Sequence, residues 1–247
     1  MRKITVFTGG SGLLGNEMGS KTFPNCFPTR KELDFSSETS VSNYFKNNNF
    51  DTLVHMGATT NTTGIEKDPL IQLQAIKSNI IGTANLAAYC LRYGRKMIYV
   101  STDYVFEGTT GNYKEDDALS PFNKYGWSKL GGECSVRMLE NYVIVRTSFC
   151  ANEFPYPKAF SDQYSSRISV SEFATRLKLV IISDFKGVIH IGGKKQTIYD
   201  LAKQLSPEKD IIPISVKDIE GYPLPKDTSL NTEKYDKLFS KLTQEFP

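Results

Sequence analysis

The sequence predicts an α/β protein, a doubly wound parallel sheet of the Rossmann type with a small C-terminal substrate lobe. Three observations predict it. A short apolar run near the N-terminus leads directly into a glycine-rich turn and then a helix. Strand-like and helix-like runs alternate as far as Thr147, which implies βαβ units with right-handed crossovers and helices on both faces of a parallel sheet. The chain has 247 residues, which suits one large domain or a domain with a small appended lobe.

The elements follow in order. Ile4 to Thr8 is β-rich and ends in glycines. Leu13 to about Thr22 reads as a helix, and Phe23 to Phe27 as a weak second strand. Val41 to Asn47 suggests a helix and Thr52 to His55 a short apolar strand. A long helical stretch runs from about Leu70 to Tyr93. Lys96 to Ser101 is a strand, Lys124 to Asn141 a helix, and Tyr142 to Arg146 another strand. After Thr147 the texture changes. Phe154 to Tyr164 is rich in proline and aromatics and reads as loop. Ser171 to Ser183 is a helix that Ser171 can cap, with Phe173, Leu177, Val180 and Ile181 as its apolar stripe. Val188 to Ile191 is a strand, and Ile198 to Leu205 and Thr232 to Leu238 are short helices. Pro207 to Pro225 holds four prolines and no clear periodicity. The C-terminal part reads as a lobe over the sheet edge.

Composition narrows the class. Hydrophobic residues make up 39% and charged residues 23%, as in ordinary soluble globular proteins. A net charge of +3 without a polybasic run gives no footprint for nucleic acid. Cys26, Cys90, Cys134 and Cys150 lie far apart, with no CxxC pair or Cys/His ligand spacing. Free thiols in a reducing compartment are the expectation, with neither zinc nor a disulfide framework. No signal-peptide pattern precedes the first strand, and no apolar run approaches the ~18 residues of a membrane span. The expected location is the cytoplasm.

The turn Thr8-Gly9-Gly10-Ser11-Gly12-Leu13-Leu14-Gly15 places glycines in a GxxGxxG pattern between a strand and a helix. Such a turn lets backbone N–H groups approach a pyrophosphate, and the helix N-terminus favours the negative charge. Residues 1–247 therefore read as a single domain. A dinucleotide-binding core spans about 1–147, and a mixed segment of about 148–247 completes the core and forms the lobe. An NAD site usually carries an acid at the end of the second strand. Here that region reads Phe27-Pro28-Thr29-Arg30-Lys31. Arg30 could pair with a 2′-phosphate, so NADP(H) is preferred and NAD(H) is the second option. Asp34 could accept a hydrogen bond from the adenine amine. The small residues in Met56-Gly57-Ala58 would let a cofactor pass closely. His55 and His190 read as packed strand residues.

Tyr125-Gly126-Trp127-Ser128-Lys129 puts a phenol and an amine one helical turn apart on one face. A nearby ammonium would draw the phenol down from its usual value of about 10. Ser101 and Thr102 lie at the carboxyl end of a strand, where side chains point into the ligand crevice of such sheets. Thr102 and Tyr125 could share one carbonyl as hydrogen-bond partner and proton donor.

These residues carry a resemblance. Thr8 to Gly15, STDYVFEG (Ser101 to Gly108), YKEDD (Tyr113 to Asp117), PFNKYGWSKLGGE (Pro121 to Glu133) and VRTS (Val145 to Ser148) resemble the extended short-chain dehydrogenase/reductase superfamily. Within it they are most similar to the dTDP-4-dehydrorhamnose reductase family. Weaker echoes lie at Ser161 to Ala174, around Asp162-Gln163, and at Ser229 to Thr232. The resemblance implies a reductase in which NADPH delivers hydride to a ketone carbon of a nucleotide-activated 4-keto-6-deoxy sugar. Tyr125 would protonate the nascent alkoxide, Lys129 would lower the phenol and hold the nicotinamide ribose, and Thr102 would polarise the carbonyl. Cofactor contacts would come from Gly9, Ser11, Gly12, Leu13, Leu14, Gly15, Arg30, Asp34, Met56, Gly57, Ala58, Asn79, Tyr125 and Lys129. Thr60, Asp103, Tyr104 and Phe149 would meet the sugar nucleotide. Asn79 matches a position of structural or proton-relay asparagines. Phe149 stands where the family usually has Trp, and the segment from Phe149 to Ser161 looks shorter than usual. A sugar-nucleotide epimerase and a noncatalytic NADP-binding regulatory subunit are the alternatives on this scaffold. No metal ligand set is evident, and a homodimer is left open.

Overall fold

The computed structural model describes residues 4–21, 27–219 and 224–245. A five-stranded sheet runs in the order β1-β2-β3-β4-β9, from Thr5–Thr8 (β1), Thr52–His55 (β2), Lys96–Val100 (β3), Tyr142–Thr147 (β4) and Gly187–Ile191 (β9). The register is parallel from β1 through β4, with Thr5 opposite Thr52, Thr52 opposite Lys96 and Met97 opposite Tyr142. These strands read as near-continuous apolar runs because both faces are covered. Phe7, Leu53, Val54, Ile98, Tyr99 and Ile144 have no exposed surface.

The chain forms two compact units. One comprises residues 1–101, 127–145 and 185–187, and the other residues 102–126, 146–184 and 188–247. In the first, helix α1 (Leu13–Lys21) follows β1, and α2 (Glu38–Asn47) starts at an N-cap in which Ser37 accepts from the Ser40 N–H. The weak strand expected over Phe23 to Phe27 falls on residues outside the described ones, apart from Phe27. Phe27 is not in a strand and stacks on Phe7 with ring centroids 4.7 Å apart.

The long helix expected over Leu70 to Tyr93 has three parts. α4 (Pro69–Ala75) begins with proline at its start and Asp68 as cap, a π-helical segment follows over Ile76–Gly82, and α5 (Thr83–Tyr93) ends at Gly94 in the left-handed region. A shorter helix, α3 (Thr62–Lys67), precedes them. Helical periodicity tolerates the wider turn, so sequence spacing does not reveal it. Helix α6 (Lys124–Val136) stops five residues before the expected Asn141, because the chain must turn before entering β4.

In the second unit, the segment read as loop over Phe154 to Tyr164 contains short strands. β6 (Lys158–Phe160) pairs in parallel with β11 (Ile212–Ile214), inside the proline-rich stretch, and β7 (Tyr164–Ser165) pairs antiparallel with β10 (Gln196–Thr197). Strands of two or three residues are too short to show a period. β5 (Phe149–Cys150) pairs with β8 (Ile168–Ser169). Helix α7 (Val170–Ile182) is capped by Ser169, whose side chain accepts from the Glu172 N–H, rather than by Ser171. Ser171 lies in the first turn, where its carbonyl accepts from the Thr175 hydroxyl. Helix α8 (Ile198–Leu205) has the expected limits. With Phe154, Ala159 and Ile211 it builds a small apolar core. Helix α9 (Glu233–Glu245) closes the described chain.

Candidate active site

The glycine-rich turn is shaped by backbone approach. Gly9 has φ +81°, and a Cβ there would lie 2.7 Å from the Gly57 nitrogen. Only glycine serves at such a position, so the turn after β1 and the end of β2 meet backbone to backbone. The Gly12 N–H donates to the Gly9 carbonyl at 3.0 Å. Ser11, Gly12 and Leu13 are exposed and Leu14 is buried beneath them. This is a tight glycine turn ahead of a helix N-terminus, and it fits a dinucleotide pyrophosphate.

Around it the expected cofactor residues are placed as follows. Met56 and Ala58 are half-buried, Gly57 is buried and Thr60 is exposed. The Arg30 side chain is 84% exposed and pairs with Asp34 at 3.4 Å. The Asp34 carboxylate accepts from the Ser36 hydroxyl and N–H as well as from Arg30. The Ser36 hydroxyl chiefly holds its pKa below the ordinary carboxylate value. Asn79 is fully buried within the π-helical segment. Its amide donates to the Thr59 carbonyl at 3.0 Å and to Ser128 Oγ at 2.9 Å, and its Oδ1 accepts from the Thr59 N–H and Ser78 Oγ. Its side-chain capacity is therefore spent on protein groups, which is a structural role. Ser128 was not foreseen as its partner, although it lies within the YGWSK motif. His55 is fully buried and bonded to Thr8 Oγ1 at 2.6 Å and Thr83 Oγ1 at 3.1 Å. Burial, with the charge on Lys129, lowers its pKa to about 3.

Lys129 also lies in the first unit and is 3% exposed. Its Nζ donates to the Val100 carbonyl at 2.9 Å and sits 4.1 Å over the Tyr99 ring. Burial pulls its pKa down to about 7, against an upward attraction from Glu133. Glu133 itself is buried and accepts from Ser101 Oγ at 2.6 Å.

In the second unit, Thr102 and Asp103 are 6% and 1% exposed. Thr102 accepts from the Tyr104 N–H at 3.2 Å, which caps a short 3₁₀ turn over Asp103–Val105. Tyr104 meets Tyr125 edge to face at 6.1 Å between ring centroids. Gly126 allows this, since a Cβ there would lie 2.1 Å from the Tyr104 carbonyl oxygen. The Tyr125 phenol is pushed above its ordinary pKa by burial, then by Asp103 and Tyr104, and a hydrogen bond with Thr102 opposes them. The expected lowering is thus reversed. A half-buried phenol beside a buried carboxylate resists ionisation, and the lysine one turn on has lost much of its own charge to burial. Phe149 stacks on Phe173 at 4.9 Å. Arg167, which no motif singled out, is half-buried and donates from Nε to Ser148 Oγ at 3.0 Å. Among the described residues no group of three His, Cys, Asp or Glu side chains could hold a metal ion.

A glycine cradle after the first strand of a parallel α/β sheet, with a Tyr-x-x-x-Lys helix, defines a member of the extended short-chain dehydrogenase/reductase superfamily. The family described as RmlD substrate binding domain matches residues 2–246, and the chain belongs to it. The chain is similar to methionine adenosyltransferase 2 subunit beta of Pongo abelii, with 26% identity over 96% of this chain and 82% of that protein. It is 30% identical to dTDP-4-dehydrorhamnose reductase of Mycolicibacterium smegmatis over 60% of this chain and 46% of the relative. A crystal structure of dTDP-4-dehydrorhamnose reductase from Bacillus anthracis in complex with NADP shares the fold. Its TM-score is 0.84 at 24% identity, over 96% of this chain and 92% of that one.

Proposed function

We propose that this protein is an NADPH-dependent reductase of a nucleotide-activated 4-keto-6-deoxy sugar. The observation that carries the reading is the Tyr125 ring packed edge to face on Tyr104, two residues on from the buried Thr102, on a helix that carries Lys129 one turn further on. NADPH, when bound, supplies the hydride. Backbone N–H groups of the Gly9 to Gly15 turn bind its pyrophosphate, and Arg30, the exposed cation beyond, takes the 2′-phosphate. NAD(H) is the second option. Tyr125 keeps its proton at neutral pH because its pKa is raised, so it enters the reaction as the acid, and the still more basic alkoxide left by hydride transfer takes that proton. Lys129, with a pKa near 7, donates to the ribose hydroxyls. Tyr104, Phe149 and Thr60 contact the sugar nucleotide, and Asp103, buried and bonded to Thr102 and Thr228, lies behind them.

A second reading is favoured by the likeness, over 96% of this chain, to a protein named as a subunit of another enzyme. There the chain would bind NADP and act as a regulatory subunit. One assay separates the two: loss of reduced-nicotinamide absorbance, measured over a small panel of 4-keto sugar nucleotides. Turnover that Tyr125→Phe abolishes supports the reductase. Tight NADPH binding without turnover on any member of the panel supports the subunit.

A further inference from the structure

Arg167 lies in the second unit where β5 and β8 meet. Phe149 pairs with Ile168 and Cys150 with Ser169, and the Ile168 N–H donates to the Ser148 carbonyl at 3.2 Å. That register sets Arg167 beside Ser148, a buried residue that follows directly on β4. Two contacts fix the arginine there. Its backbone N–H donates to Ser165 Oγ at 3.1 Å, and its Nε donates to Ser148 Oγ at 3.0 Å. A guanidinium has five N–H bonds in one plane. The bond from Nε to Ser148 orients that plane and leaves the two Nη groups. The Tyr104 phenol is the further group that bonds to the side chain. One phenol oxygen cannot accept every remaining N–H, so donor capacity is left over in this wall of the site.

Burial opposes the Arg167 charge, while Tyr104, Asp103 and Cys150 favour it. Asp103 is the carboxylate among them, and its two oxygens already accept from Thr102 and Thr228. Tyr104 in turn meets the Tyr125 ring at 6.1 Å between centroids, so Arg167 belongs to the same wall as that phenol. The carboxyl ends of parallel strands, here β4, are where such sheets take ligands. We propose that Arg167 is a substrate-binding residue whose paired Nη groups receive an anionic oxygen, phosphoryl or carboxylate. The choice of source rests on the reductase reading. In a nucleotide-activated 6-deoxy sugar the anion is the diphosphate, and the sugar ring carries none. A carboxylate on the ring of an acidic sugar would make the same contact. Lysine would not serve equally, since it offers a point charge rather than a fork. No local pattern marks Arg167, because the fold alone brings Tyr104 and Ser148 to it.

The test is calorimetric titration of the full chain with dTDP, UDP and GDP, each beside its nucleoside. The wild type should bind at least one diphosphate more tightly than the matching nucleoside. Arg167→Gln should weaken that diphosphate roughly 10- to 100-fold, the scale of a bidentate charge-assisted contact, and leave the nucleoside and NADPH within about twofold. Arg167→Lys keeps the charge and gives up the fork, so its loss should be intermediate, and it replaces the Gln variant if that one does not fold. UDP-glucuronate beside UDP-glucose separates the two sources. A preference for the glucuronate compound that Arg167→Gln removes, with UDP itself unaffected, assigns the contact to a ring carboxylate. Arg167 then stands as the anion residue, and the 6-deoxy sugar reading falls. A folded Arg167→Gln protein that binds every diphosphate and UDP-glucuronate as the wild type does overturns the assignment. Equal losses on diphosphate and nucleoside overturn it too, since Arg167 is then a brace and no more, as does a wild type that binds none of the anions. If the wild type binds a diphosphate through Arg167 and turns over no keto sugar nucleotide, the reductase reading alone fails.

Discussion

Replacing Lys129 by Met should make the folded protein more stable while abolishing its turnover. The Lys129 pKa is about 7 in the fold, against 10.5 for an ordinary lysine. Between those values the unfolded chain holds a proton that the folded chain has released. Stability therefore rises with pH across that window, and it is lowest where both states are charged. At about 1.36 kcal/mol per unit, the gap corresponds to roughly 4 kcal/mol lost at neutral pH by burying this amine. That figure already includes the attraction of Glu133. What offsets it in the variant is the loss of the amine's contact with the Tyr99 ring and its bond to the Val100 carbonyl, together with a buried Glu133 left without its cation. A methionine of similar length fills the same channel without these contacts. The net gain expected for Lys129→Met at pH 7 is on the order of 2 kcal/mol, or roughly 4–8 °C in Tm for a chain of this size. Urea melts at pH 6, 7, 8 and 8.5 check it. The difference between variant and wild type should shrink by about 2 kcal/mol from pH 7 to 8.5, as the folded wild type sheds its proton. A variant no more stable than wild type at pH 7, with a difference independent of pH, would refute the reasoning.

Other outcomes are expected. Tyr125→Phe should reduce turnover by about 10²- to 10⁴-fold and leave NADPH affinity nearly intact, as measured by steady-state rates and fluorescence titration. Arg30→Ala should weaken NADPH binding by roughly 10- to 100-fold and NADH binding little, the scale of a charge-assisted contact; equal effects on both cofactors would remove the 2′-phosphate assignment. His55 and His190 are buried and neutral, each with a pKa near 3. Acidification from 6.5 towards 3 should therefore cost about 1.4 kcal/mol per pH unit for each. His55→Gln should show a shallower acid slope in denaturant melts. Gly126→Ala would force a Cβ to within 2.1 Å of the Tyr104 carbonyl oxygen. It should cost about 1–3 kcal/mol and lower turnover, read from thermal melts and rates on one preparation.

Much of this protein is written in local order. The strand over Thr52–His55 and the helix over Ile198–Leu205 have the limits their residues suggested, because periods of two and 3.6 are properties of neighbouring residues. The glycine turn after Thr8 and the four-residue step from Tyr125 to Lys129 are likewise local, so the nucleotide cradle and the phenol-amine helix could be read directly. The histidines were legible as strand residues for the same reason.

What the linear order lacked was the partner and the surroundings of each side chain. Nothing local separates Ser169 from Ser171 as a cap, reveals a π-helical turn around Asn79, or gives that amide Ser128 as its partner. Spacing suggested an ammonium that lowers a phenol, whereas the folded chain buries both groups and sets Asp103 beside Tyr125. Thr228 reaches Asp103 only once distant segments are brought together. Sequence alone determined which backbone shapes and which reactive groups the protein has, because those depend on residues a few positions apart. The tertiary structure alone decided their charges and hydrogen-bond directions, because desolvation and long-range contacts arise only when remote segments exclude water from one another.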